Sequence, residues 1–288
     1  MNANPTPVVV TRPPAGPAPA PAAANVSRRR PSPMLGRYLV RLLALVVAVL
    51  LWQWASSTQF RLFVNFENVP APTVVGMELA AQLADPEFYL HVLHSLQRIA
   101  VGYALAAALG VTLGVLMGRW RLAEDIILPY IEILRPIPAV AWIPLAILMM
   151  PSEQSSIIFI TFLGALFPIV LNTVHGVEQT PQLLVRAARS LGASNAAILW
   201  HVVLPGALPS IVAGLAIGMG VSWFSLLAGE IISGQYGIGY FTWSAYTLIE
   251  YPKIIIGMLA IGGLGTLSTL LVRKACAPLL RWQAEGVR

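Results

Sequence analysis

Three ionisable residues stand inside long apolar stretches, and with them lies this chain's capacity for chemistry: Glu132, Arg135 and Glu230. Burying a charge is costly, so such groups are paired, functional or both. Glu132 and Arg135 are three apart on one helical face. They either pair with each other or leave the guanidinium facing a pathway, where a fixed cation lowers the barrier for an anion. Glu230 follows an apolar run from Leu208, about 33 Å along a helix. It is expected to line an outer gate or to snorkel to the surface. Trp142 and Trp223 fall within apolar stretches and not at their ends, as gate residues or as core packing.

No catalytic constellation accompanies them. The chain has no G-x-x-x-x-G-K-[ST] phosphate loop, no H-E-x-x-H and no G-x-S-x-G. His91 and His94 have helical i, i+3 spacing but no carboxylate beside them, a weak metal case. The single cysteine, Cys276, excludes a disulfide framework and a Cys-rich zinc or iron–sulfur site. No catalytic residue, metal ligand or cofactor site is expected.

The elements that position these residues belong to a membrane protein. Of 288 residues, 57% are hydrophobic and 10% charged, against roughly 45–50% and about 25% in soluble domains. Mean hydropathy is +0.74. Residues 1–34 hold nine of the 23 prolines and the run Arg28-Arg29-Arg30, which reads as a disordered tail. A retained first membrane helix at 38–56 fits better than a cleaved signal, since Trp52 and Trp54 extend the apolar run as an interfacial pair. Further spans are expected at 91–118, with Gly110, Gly114 and Gly118 on one smooth face, and at 155–177, 207–231 and 252–273. The stretch 122–150 contains Pro129, Pro136, Pro138 and Pro144 and cannot be a straight helix. Irregular backbone at membrane depth survives only inside protein or along a water-filled path, which makes this segment a candidate pathway lining or else a kinked packing helix. With the N-terminus inside, fourteen of the 18 Lys and Arg residues fall on the cytoplasmic side; Arg61, Arg98 and Lys253 fall outside and Arg135 within a span. The reading is an all-α protein of six transmembrane helices with both termini cytoplasmic.

Residues 178–206 are polar enough to leave the membrane. Pro181 suits the start of a short helix, Gly192 a left-handed cap, and Ser194 the start of a second helix carrying Ile198, Leu199 and Trp200. Exposed apolar side chains on two short helices suit docking into a partner's groove.

At this loop the chain resembles a known family. Arg186-Ala187-Ala188-x-x-x-Gly192, nine residues, then Val202-Val203-Leu204-Pro205 is similar to the E-A-A-x-x-x-G-x9-I-x-L-P loop in membrane subunits of binding-protein-dependent ABC importers. Arg186 stands where the family usually has Glu, and Val202 where it has Ile. The resemblance extends over about residues 70–282. Pro70-Ala71-Pro72, His91-x-x-x-Ser95-Leu96-x-Arg98 with Gly102, Arg135 to Leu145, and Ala228-Gly229-Glu230-Ile231-Ile232 followed by Gly237-Ile238-Gly239 resemble the nitrate/sulfonate/taurine/bicarbonate group.

The resemblance implies a type I importer permease fold and a non-enzymatic subunit of the bacterial cytoplasmic (inner) membrane. It implies ABC ATPase partners that bind the ATP, a periplasmic or lipid-anchored solute-binding protein, and pairing with itself or a homologous permease. Arg186, Ala187, Ala188, Gly192, Leu204 and Pro205 would form the ATPase-coupling loop. Glu132, Arg135, Trp142 and Glu230 are the pathway candidates. On this reading the chain divides into a cytoplasmic tail at 1–34, a first helix and external segment at 35–69, the transporter domain at 70–282 with its loop at 178–206, and a tail at 283–288. Another organic solute, or a stand-alone secondary transporter using Glu132 as coupling carboxylate, is the competing reading.

Overall fold

The computed structural model describes residues 34–61 and 66–280. The expectations for 1–33 and 283–288 lie outside those residues. Every regular element described is helical: α1 Met34–Ser57, α2 Pro72–Gln82, α3 Pro86–Arg119, α4 Arg121–Leu134, a 3₁₀ turn Ala139–Trp142, α5 Ile143–Met149, α6 Glu153–Glu178, α7 Gln182–Ser190, α8 Asn195–Ile198, a π-helical turn Leu199–Val203, α9 Leu204–Ser233, α10 Ile238–Thr247, α11 Tyr251–Cys276 and a 3₁₀ turn Ala277–Leu280. The chain forms two units that meet within α1. The first, ending at Ala48, presents Leu39, Val40, Leu42, Leu43 and Leu45 more than half exposed, as a helix among lipid tails would.

In the second unit α6 is the central helix. Its glycine and threonine positions receive α3 on one side and α9 on the other. Gly110 packs on Ile169, Gly114 on Thr173 and Gly118 on Val177, so the predicted four-residue glycine repeat is the α3–α6 seam. Gly164 and Gly176 of α6 meet Ser225 and Ser210 of α9, and Gly214 and Gly218 of α9 meet Asn172 and Ile169 of α6. Without a hydrophobic drive between helices in lipid, close backbone approach at small residues holds such a bundle.

Among the described residues, five helical segments are long and apolar enough to cross a membrane: Tyr38–Ser57, Pro86–Arg119, Glu153–Glu178, Asn195–Ile232 and Tyr251–Leu280. The sixth is the proline-rich pair Arg121–Leu134 and Ala139–Met149, bent by 87°. Its break falls at Arg135-Pro136-Ile137-Pro138, where proline removes backbone donors and bars continued helix. Two shorter helices, α2 and α10, were not expected from the sequence. Both pack on α11.

Candidate functional site

The break between α4 and α5 opens a cavity of about 540 Å³. Arg135, Pro136, Ile137, Pro138 and Trp142 form one wall, with Leu163, Gly164 and Phe167 of α6 and Val221, Phe224 and Ser225 of α9 opposite. Arg135 and Trp142 therefore border the same cavity. Glu132 does not line it. It is exposed on α4 and makes no ion pair; the described pairs are Arg61–Glu67, Arg98–Glu230 and Lys253–Glu250. The pairing of Glu132 with Arg135 is thus absent among the described ion pairs, and no carboxylate lines the cavity. Trp142 buries its Nε1 with no hydrogen-bond partner. Trp223 is different: it is 4% exposed in the core, and its Nε1 donates to Ser268 Oγ at 2.8 Å, joining α9 to α11.

Glu230 does not snorkel to the surface. It is 1% exposed and bonded to Arg98, 4% exposed, at 2.9 Å. Its carboxylate also accepts from Ser95 Oγ at 2.8 and 2.9 Å and from Gly239 N at 2.9 Å. Arg98 further donates from Nε to Gln154 Oε1 at 2.7 Å and from Nη1 to the Tyr236 carbonyl at 2.5 Å. Ile238 N donates to Ser95 Oγ at 2.9 Å, and Gly237 N to His91 Nδ1 at 3.1 Å. This network clasps α3, α9 and the start of α10 together. Arg98, counted on the outer side in the charge tally, is a buried residue of α3. The clasp explains Gly237: φ is +128° there, and a Cβ would collide with the Glu230 carboxylate. Ser95 and Arg98 were visible in the sequence as a motif, yet nothing local ties them to a glutamate 135 and 132 residues further on. His91 is held by Gly237 and does not join His94 in a metal site; no metal-ligating group of three occurs among the described residues.

The cytoplasmic loop has the expected helix–glycine–helix form. α7 starts one residue after Pro181, which is the N-cap. Gly192, at φ +82°, donates to the Arg189 carbonyl at 3.0 Å, and Ala193 N donates to Ala188 O at 3.1 Å. These two bonds make a Schellman cap. Ser194 Oγ accepts from Ala197 N at 3.2 Å and starts α8. Leu183, Leu184, Leu191 and Trp200 are exposed, as a docking surface requires. Ile198 is not part of that surface: at 1% exposure it is buried with Val177 of α6, Val203, and Ala207 and Ile211 of α9. Arg186 and Ala187 are exposed and Ala188 half-buried, while Leu204 and Pro205 are the first residues of α9. Ile198 thus roots the loop in α6 and α9.

Residues 110–278 match the family described as binding-protein-dependent transport system inner membrane component. The nitrate import permease protein NrtB of Synechocystis is 34% identical over 251 residues, 83% of this chain and 90% of that protein. The bicarbonate transport system permease protein CmpB of Synechococcus elongatus is 39% identical over 199 residues, 69% of this chain and 70% of that one. The taurine transport system permease protein TauC of Escherichia coli is 33% identical over 245 residues, 83% of this chain and 88% of that one. Permeases of this family are non-enzymatic; partner ATPases hydrolyse the ATP, and solute-binding proteins deliver the cargo. With its six apolar spans, one of them broken, and its capped cytoplasmic loop, this chain belongs to the family of inner-membrane components of binding-protein-dependent transport systems, as a multi-pass permease subunit of an ABC importer.

Proposed function

We propose that the protein carries a small oxyanion across the bacterial cytoplasmic membrane: nitrate, bicarbonate, or a sulfonate such as taurine. Arg135 carries this reading, a guanidinium on the wall of the cavity with no carboxylate lining it. Arginine's planar donor fork suits planar and tetrahedral oxyanions alike, and three relatives are named for such solutes. The protein pairs with itself or a homologous permease, and an ATPase docks on each 178–206 loop. A periplasmic or lipid-anchored binding protein supplies the solute.

ATP-driven closure of the ATPases pushes α7 and α8. Ile198, seated against Val177, Ala207 and Ile211, passes the push to α6 and α9. α9 carries Phe224 and Ser225 on the cavity wall. A rigid-body shift of α9 then changes the cavity's shape and access. The chain's own work is to bind weakly, to exclude other solutes and to move.

Uptake in vesicles reconstituted with ATPase and binding protein tests the reading. Arg135→Gln should slow oxyanion uptake about tenfold, the loss expected when one charged hydrogen-bond partner goes, and Glu132→Gln should leave it unchanged. Equal rates for Arg135→Gln and wild type, or uptake of solutes that lack an oxyanion group in place of those that carry one, would overturn it.

A further inference from the structure

At the end of the bundle opposite the coupling loop, α2, α3, α10 and the start of α11 enclose another cavity, of about 230 Å³. The helix contacts fix its side of the membrane. Gly102 meets Thr161 and Gly118 meets Val177, so α3 runs parallel to α6. The 178–206 loop follows the cytoplasmic end of α6, which puts the start of α3, and this cavity with it, at the outer surface.

Three carboxylates, Asp85, Glu87 and Glu250, line the cavity against one lysine, Lys253, which donates to Glu250 Oε1 at 2.9 Å. Gln82 shows what they await. It is 8% exposed, and its Nε2 donates to Glu78 Oε1 at 3.0 Å. A carboxylate can only accept, so this bond fixes the amide's orientation and leaves Oε1 as an acceptor without a donor among the described residues. Six side-chain polar atoms among the described residues are both partnerless and sealed from solvent. The Gln82 oxygen is not one of them, so it opens onto the cavity that Gln82 borders. His91, 6% exposed on the same wall, repeats the pattern. Its Nδ1 accepts from Gly237 N, so the ring proton sits on Nε2, which is likewise partnerless and unsealed.

We propose that this cavity receives a basic side chain of the solute-binding protein, an arginine or lysine that donates to Gln82 Oε1 and to the carboxylates of Asp85 and Glu250. The inference rests on the importer reading, in which such a protein supplies the solute, and adds where and by what chemistry it docks. Three acids facing one base exclude the transported oxyanion as the occupant. A metal ion has no group of three ligands here among the described residues. Leu248 on the rim and its neighbour Ile249 are each 66% exposed. Apolar surface beside a charged socket suits a protein partner and not a free cation. His91 Nε2 then donates to a main-chain carbonyl of that partner, an acceptor that a free ammonium lacks. Opposite charge on the two surfaces also speeds their encounter.

The permease–ATPase complex in nanodiscs, titrated with its solute-binding protein loaded with nitrate, bicarbonate or taurine, gives the concentration for half-maximal ATP hydrolysis. Glu250→Gln removes a charged acceptor and leaves Lys253 unopposed. That concentration should rise about tenfold, the loss of one charged hydrogen bond, with the maximal rate unchanged. Lys253→Gln should lower it, because the lysine repels the incoming charge. Both variants break the same part-exposed ion pair, which is worth little to folding, so both should melt near wild type. Glu153→Gln removes an exposed acid at the outer end of α6, away from the cavity, and should dock normally. The proposal is overturned if Glu250→Gln docks like wild type, or if Glu250→Gln and Lys253→Gln shift the concentration in the same direction. An equal shift for Glu153→Gln overturns it too, as the mark of general charge loss. Should docking be unchanged while spermidine alone raises the melting temperature of wild type but not of Glu250→Gln, the cavity belongs to a free polycation. A wild type stimulated by binding protein that carries none of the three anions sinks the oxyanion reading alone. One that binding protein does not stimulate removes that step of the proposed function, and the docking site with it.

Discussion

Replacing Glu230 with glutamine keeps the side chain's size and removes its charge. In the folded protein this strands Arg98, 4% exposed, with only Gln154 Oε1 and the Tyr236 carbonyl as acceptors. Breaking one side of a buried pair costs about 3–5 kcal/mol, because the surviving charge stays desolvated. Glutamine's carbonyl can still accept from Ser95 or from Gly239 N, so the lower end of that range, about 3 kcal/mol, is expected. For a chain of this size each kcal/mol moves the melting temperature by roughly 2–4 °C, so the variant should melt about 6–12 °C below wild type. Adding Arg98→Gln removes the stranded charge, and the double variant should melt above Glu230→Gln alone. Thermal unfolding of the detergent-purified protein, followed by tryptophan fluorescence, reads both effects. Melting of Glu230→Gln within about 2 °C of wild type together with lost uptake would refute the clasp. Glu230 would then be a pathway group, as the sequence first suggested.

Gly192→Val places a β-branched residue at φ +82°, where no atom lies within 4 Å of the new Cβ. The cost is therefore backbone strain alone, about 1–2 kcal/mol, confined to the α7 cap. Membrane insertion and melting of the bundle should be unchanged while solute carried per ATP hydrolysed falls; Gly192→Asn should be milder. Gly114→Ala, by contrast, puts a methyl 2.5 Å from Thr173 Cβ and 2.8 Å from the Val170 carbonyl. It should destabilise the bundle by about 1–3 kcal/mol through forced separation of α3 and α6, read as a lower melting temperature. Gly262→Ala, with open space around the new methyl, is the neutral control.

Much of the architecture was legible before any coordinates, for local reasons. Span positions follow from apolar length against membrane thickness, and the broken third span follows from proline's missing donor at 136 and 138. The loop's caps were readable because a Schellman glycine and an N-cap serine act within a few residues of themselves. Arg135 and Trp142 could be named as pathway candidates because they stand in or beside the proline-rich break. The shorter helices α2 and α10 were missed, since their 11 and 10 residues are too short to announce a span.

What lay beyond the sequence was every relation between residues far apart in the chain. Glu230 looked like a gate or a snorkelling group because its own neighbourhood holds no cation; Arg98 reaches it only when α3 and α9 pack together. Ile198 looked like docking surface because an exposed and a buried leucine-like side chain are identical in a short helix, and only the contact with Val177 and Ile211 distinguishes them. Ser225 carried no signal at all: a serine in an apolar helix ordinarily bonds its own backbone. Its orphaned hydroxyl and its place beside Gly164 exist only in the packed molecule. Local spacing determines helices, caps and breaks, because those bonds close within about four residues. Which buried group meets which is settled by the helix–helix approach, and no single helix contains that information.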